Sequence, residues 1–153
     1  MKSVVIFGGS GGLGSAVVQS LVKDYHVIIG YKNNKERASN LSNNFNKNGF
    51  STIISQVDVC NVKSIKKFLK LSIEDKKNDI VGIVNAVGPA IPLKPLIDVT
   101  EDEFKSILSI DVFGSFNVLK ESFLILREKG GGSIVQFLTT AVLKTLENDG
   151  MSG

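Results

Sequence analysis

The residues whose types and spacing suit chemistry begin in VVIFGGSGGLGSAVVQSL, residues 4–21. Four apolar residues run into five glycines within seven positions, and a small, apolar segment follows. A chain that leaves a strand, sheds its side chains and enters a helix so abruptly gathers unpaired N–H groups and the positive end of a helix at one point. That arrangement suits a phosphate. Gly9-Ser10-Gly11-Gly12-Leu13-Gly14 fits G-x-G-x-x-G, and Gly8, Gly12 and Gly14 fit G-x-x-x-G-x-G. Glycine clusters also make plain turns, so the flanking elements decide. Elsewhere candidates are sparse. His26 is the single histidine, which excludes a histidine metal site or histidine triad and reads as a surface residue at a strand edge. Cys60, the single cysteine, cannot form an internal disulfide and reads as a small packing residue.

The elements that must position these residues alternate. Val4 to Phe7 reads as a short buried strand, Ser15 to Lys23 as a helix with its spacing at Ala16, Val17, Ser20 and Leu21, and Val27 to Ile29 as a second strand. A polar helix over Lys35 to Asn46 and a strand over Ser51 to Val57 follow. Asn61 is placed to cap a third helix in which Ile65, Phe68, Leu69 and Ser72 share a face and the lysines form a solvated one. Ile80 to Asn85 is a fourth strand. Thr100 with Glu103 makes a capping box before one long helix marked by Phe104, Ile107, Leu108, Val112, Val118, Leu119 and Phe123. Gly130 to Gly132 stop it, and Ile134 to Leu138 is a fifth strand. Uniformly apolar strands alternating with helices imply an α/β fold whose parallel sheet is covered on both faces. The glycines therefore fall between a buried strand and a helix, where a phosphate-binding turn belongs.

With 42% hydrophobic and 22% charged residues over 153 positions, the chain is long enough for one domain, and no repeat or linker divides it. The net charge of +3 comes from lysines scattered among acids, which does not suggest nucleic acid. No apolar run approaches the roughly 18 residues of a membrane helix, and no leader precedes the first strand, so the expected location is cytoplasmic.

Four stretches, GGSGGLG at 8–14, VDV at 57–59, VNAVG at 84–88 and GSIVQFLTT at 132–140, resemble the short-chain dehydrogenase/reductase family, especially its 3-oxoacyl-acyl-carrier-protein reductase-like members. The resemblance spans essentially the whole chain. It implies a Rossmann-like, doubly wound parallel sheet, a nicotinamide dinucleotide as cofactor, a small-molecule or acyl-thioester carbonyl as substrate, and a homo-oligomer, dimer or tetramer. The loop carrying Gly8, Ser10, Gly11, Gly12, Leu13 and Gly14 would wrap the phosphates. Asp58 with Val59 would hold the adenine, and Asn85, Ala86, Val87 and Gly88 would line the ribose side. The family's usual NNAG differs from this NAVG at Ala86 and Val87.

A site for NAD commonly ends its second strand with a carboxylate about 20 residues past the glycines. Here Tyr31 and Lys32 stand there, and no acid appears until Glu36. A carboxylate repels a 2′-phosphate and a lysine attracts it, so NADP is expected ahead of NAD. Against this, the loop position often basic in NADP-preferring relatives is Gly11.

The catalytic set departs further from the family. The alignment puts Thr139 at the family's serine, keeping the hydroxyl, and Asp111 at its helix asparagine, replacing an amide by a carboxylate. The family's tyrosine, with a lysine four residues on, would fall near Ser152, and Gly150 to Gly153 look like the segment preceding it. Tyr31 to Lys35 matches Y-x-x-x-K but leaves the second strand on the adenosine side. The chain thus reads as a single NAD(P)-binding domain over 1–153, truncated after the fifth strand. Two functions fit: an oxidoreductase seen without its proton donor and inactive alone, and a noncatalytic NADP(H)-binding module. Substrate identity is not legible.

Overall fold

The computed structural model of the chain describes residues 1–74, 79–91 and 93–139. Five strands form one parallel sheet: β1 (Lys2–Phe7), β2 (His26–Tyr31), β3 (Thr52–Gln56), β4 (Asp79–Asn85) and β5 (Ser133–Gln136). Their order is β3-β2-β1-β4-β5, so the winding reverses between β1 and β4. Such a reversal opens a crevice at the carboxyl ends of the two strands, where ligands of open α/β sheets bind.

Side-chain alternation along β1 explains the two layers. Val5 and Phe7 enter one core with Ile28, Ile83, Phe68, Ile65, Val118 and Ile125, which is roofed by α3 (Val62–Glu74) and α5 (Ser115–Glu128). Val4 and Ile6 enter the other with Val27, Ile29, Val18 and Val22, under α1 (Gly12–Leu21) and α2 (Lys35–Lys47). Phe7 and Phe68 meet edge to face at 5.0 Å, and burying each such ring contributes about 1.5–3 kcal/mol. The doubly wound reading therefore holds.

Several local expectations hold as well. Asn61 Oδ1 accepts the Ser64 N–H at 3.2 Å, and Ile65, Phe68, Leu69 and Ser72 are all buried. The Thr100–Glu103 capping box is complete, and Lys94 adds an ion pair to Glu103 at 2.7 Å.

Five expectations are corrected. Of the expected α1 face, Val17 and Leu21 are half-buried against the core, but the fully buried positions are Gly14 and Val18, with Val22 just past the helix, while Ala16 and Ser20 are exposed. The long helix is α4 (Glu101–Leu108), a π-helical turn over Ser109–Gly114, and α5. The widened turn lies where Gly114 passes Val59 so closely that a Cβ on Gly114 would sit 2.8 Å from Val59 Cγ2. His26 is buried, with Nδ1 2.7 Å from Ser51 Oγ, because the start of β2 packs beside the residue preceding β3. Cys60 is exposed, its thiol donating to the Ser109 carbonyl at 3.4 Å. The last strand ends at Gln136, not at Leu138. Among the described residues, no helix is long and apolar enough to cross a membrane.

Candidate functional site

The glycine loop sits at the winding reversal. After β1 the chain turns at Gly8, whose φ of 71° lies in the left-handed region that side chains disfavour. Gly9 N–H donates to Gly30 O and Gly11 N–H to Gly8 O, both at 2.9 Å, tying the loop to β2 and to itself. Gly11 then caps α1 without a side-chain hydrogen bond, and the first turn of the helix contains no acid. The first intrahelical bond is Ser15 N–H to Gly11 O, so the amides of Gly12, Leu13 and Gly14 have no partner within the helix.

The glycines do different work. A Cβ on Gly14 would run into Gly8 O, so its missing side chain lets the helix lie against the loop. A Cβ on Gly12 would meet nothing within 4 Å, so the space its side chain would fill is open. Uncapped amides facing open space beside a helix amino terminus fit a pyrophosphate. Ser10 is buried within the loop and Leu13 is exposed.

Two clefts flank this point and share the wall Ala86, Val87 and Gly88. The first, about 210 Å³, runs from Gly8, Ser10 and Gly11 to Tyr31, Lys32, Asn33 and Val59. Tyr31 is buried at the end of β2, where an acid would otherwise stand. Lys32 is not alone: its Nζ lies 3.2 Å from Asp58 Oδ2. Asp58 Oδ1 accepts the Cys60 N–H at 3.0 Å, while the Val59 side chain is buried. Burial, followed by the Asp58 charge, pushes the Cys60 thiol pKa up, and Lys32 opposes this.

The second cleft, about 460 Å³, gathers Leu13, Asp111, Ser115, Gln136 and Thr139. The two residues placed at catalytic positions by the alignment, Asp111 and Thr139, thus line one cavity. Asp111 sits on the π-helical turn, and burial raises its carboxyl pKa above the usual value. Asn85, at the end of β4, is buried; its Nδ2 donates to Gln136 Oε1 at 2.9 Å and reaches Ser115 Oγ at 3.5 Å, and its Oδ1 accepts the Val87 N–H at 3.3 Å. One amide therefore joins β4, β5, α5 and the shared wall.

Gln136 and Ser115 were not singled out in the sequence. Gln136 is a polar residue in an apolar strand, in register with Asn85, and Ser115 lies four residues after Asp111. Both signals become visible once the pairing is known. Among the described residues no tyrosine lines the second cleft: Tyr31 lines the first, and Tyr25 packs on the core beneath α1. Ser152 and Gly150 to Gly153 lie outside the described residues.

Comparison with known proteins agrees with this geometry. A versicolorin reductase of Emericella nidulans is 28% identical over 94% of this chain, which covers 53% of the relative. A short-chain type dehydrogenase/reductase from Mycobacterium ulcerans superposes with a TM-score of 0.90 at 21% identity, over 99% of this chain and 56% of that one. A gluconate 5-dehydrogenase from Burkholderia cenocepacia, solved in complex with NADP and tartrate, superposes with a TM-score of 0.79 at 22% identity, over 90% and 53%. The chain spans about half the length of the curated relatives it matches. The profile of the short chain dehydrogenase family matches residues 2–149, from the first strand through both clefts, and the chain belongs to that family.

Proposed function

We propose that residues 1–153 form a single NADP(H)-binding domain and carry the cofactor half of an oxidoreductase that reduces a carbonyl to a hydroxyl. The observation that carries this reading is the uncapped start of α1 beside the open space at Gly12, at the winding reversal and between two clefts. The dinucleotide would supply the hydride. The chain's part is to hold and orient. The amides of Gly12 and Leu13 receive the pyrophosphate; Tyr31, Lys32 and Asp58 bound the adenosine end; Ala86 to Gly88 separate the two ends. Lys32 in place of an acid supports NADP over NAD, and the gluconate 5-dehydrogenase neighbour was solved with NADP.

In the second cleft the Thr139 hydroxyl, placed at the family's serine by the resemblance, can donate to a carbonyl oxygen, with the Ser115 hydroxyl lining the same space. Asp111, when ionised, accepts but does not donate. The substrate class that fits the family resemblance is a small carbonyl compound or a 3-oxoacyl thioester. The exposed phenylalanines Phe113, Phe116 and Phe123 support assembly with a second copy, and the expected location is cytoplasmic. A second reading, a noncatalytic NADP(H)-binding module, draws support from the second cleft, which holds no tyrosine among the described residues.

Titration of NADPH and NADH, followed by nicotinamide fluorescence, tests the binding reading. Tighter NADPH binding that is lost in Gly12→Val is the expected result. Equal affinities, or no loss of NADPH preference in Lys32→Ala, would remove the NADP argument. The 153-residue chain alone should turn over no 3-oxoacyl thioester, since losing a general acid lowers a rate by about 10² to 10⁴. Measurable turnover would mean the site is misplaced.

A further inference from the structure

The ion pair between Lys32 and Asp58 joins two residues that cofactor binding would use separately. Lys32 Nζ lies 3.2 Å from Asp58 Oδ2, and both partners are held from behind. Asp58 Oδ1 accepts the Cys60 N–H at 3.0 Å, and the Asp58 N–H donates to Ser64 Oγ at 3.0 Å. The Lys32 carbonyl accepts from Gln56 Nε2 at 2.9 Å. The Asp58 carboxylate thus holds the ammonium just past the end of β3.

We propose that Asp58 sets the selectivity of this site by competing with a ligand's 2′-phosphate for Lys32. The inference rests on the reading of Lys32 as the 2′-phosphate partner. A ligand with a plain ribose hydroxyl leaves the pair intact. A ligand with a 2′-phosphate, carrying a charge of about −1.5 to −2, must draw Lys32 from its carboxylate and then sit near that carboxylate's negative charge. The competition is modest because water reaches both side chains, 50% and 38% exposed, and pairs so exposed favour the closed arrangement by roughly 2- to 5-fold. Asp58 thus acts on the phosphate through Lys32 and is a positioning residue, separately from any contact it makes with adenine. The chain discriminates between the two ligand types less than Lys32 alone would.

Adenosine fragments isolate this end of the site. Binding of 2′,5′-ADP and 5′-AMP to the 153-residue chain is compared for wild type, Asp58→Asn, Lys32→Ala and the double variant. Asn keeps the oxygen that accepts from Cys60 while removing the charge. Asp58→Asn should raise the ratio of 2′,5′-ADP to 5′-AMP affinity by about 2- to 5-fold, whatever change both ligands share through the adenine, and the gain in the ratio should vanish in the Lys32→Ala background. If Asp58→Asn leaves the ratio unchanged while Lys32→Ala lowers it, the competition is refuted and the NADP reading stands. If Lys32→Ala leaves the ratio unchanged, the NADP reading fails and the competition with it.

Discussion

Strands β2 and β5 belong to the same sheet and live in different surroundings. All six residues of β2 are buried between neighbours on both sides, whereas β5 pairs with β4 alone among the described residues and alternates between exposed and half-buried. The helices repeat the contrast. α1 turns Val18 and Val22 into the core, while the α4 to α5 segment leaves Val112, Phe113, Phe116 and Phe123 more than half exposed. The glycine loop and the first cleft therefore stand on strands with neighbours on both sides. Asp111, Gln136 and Thr139 stand on the more exposed part.

Replacing a loop glycine should sharpen this contrast most. Gly14→Val forces a side chain into Gly8 O and should destabilise the fold by about 3 kcal/mol or more. Gly12→Val enters open space and should stay within about 1 kcal/mol of wild type while binding no dinucleotide. Urea denaturation and NADPH titration of the two variants separate the effects; equal destabilisation would mean that Gly12 also packs.

The second test is the exposed face. The wild-type chain should self-associate or aggregate through it. Phe116→Ser with Phe123→Ser should weaken self-association about 10-fold by sedimentation, with stability shifting by no more than about 0.5 kcal/mol. A wild-type monomer with a cooperative transition above about 5 kcal/mol would break the comparison, because that half would then be complete as it stands.

Asp111 gives a smaller, pH-dependent effect. Its raised carboxyl pKa means the native state holds the proton more tightly than the unfolded chain does, so the charged form weakens the fold at neutral pH. Asp111→Asn should be slightly more stable than wild type at pH 7. The gain should fade as pH drops through the folded pKa and be absent below the ordinary value of 3.8.

The smallest effect belongs to Glu103, whose pKa is lowered to about 2 by Lys94 and then by Thr100. Stability from this cap is fully present above the ordinary value of 4.5 and is lost as pH falls toward 2. Hydrogen exchange at the first turn of α4 should speed up in that window, and Glu103→Gln should flatten the dependence.

What could be read from the sequence was what neighbours in the chain decide. The strand-to-helix glycine turn, the Asn61 cap and the Thr100–Glu103 box rest on residues a few positions apart, and the parallel sheet was legible from the alternation of apolar strands with helices, not from any one pairing. What could not be read depends on partners brought together by folding. His26 finds Ser51, Asn85 finds Gln136, Lys32 finds Asp58, and Cys60 reaches Ser109. The π-helical turn escaped because no side-chain period announces it; the close passage of Gly114 over Val59 is a tertiary fact. For α1 the spacing was helical but the face was misjudged, since small residues such as Ala16 and Ser20 tolerate either side.

The Asn85 amide, spread over β4, β5, α5 and the turn to Val87, also bears on how this scaffold tolerates variation. It behaves as a seam. Residues 89–91 and 137–138, beyond it, should then tolerate exchange with less effect on the glycine turn than the Asn85 contacts would, provided the amide keeps its partners. A library that randomises 89–91 and 137–138 while holding Asn85, Ser115, Gln136 and Thr139 fixed should diversify what the second cleft accepts and leave the lining of the first cleft as it is.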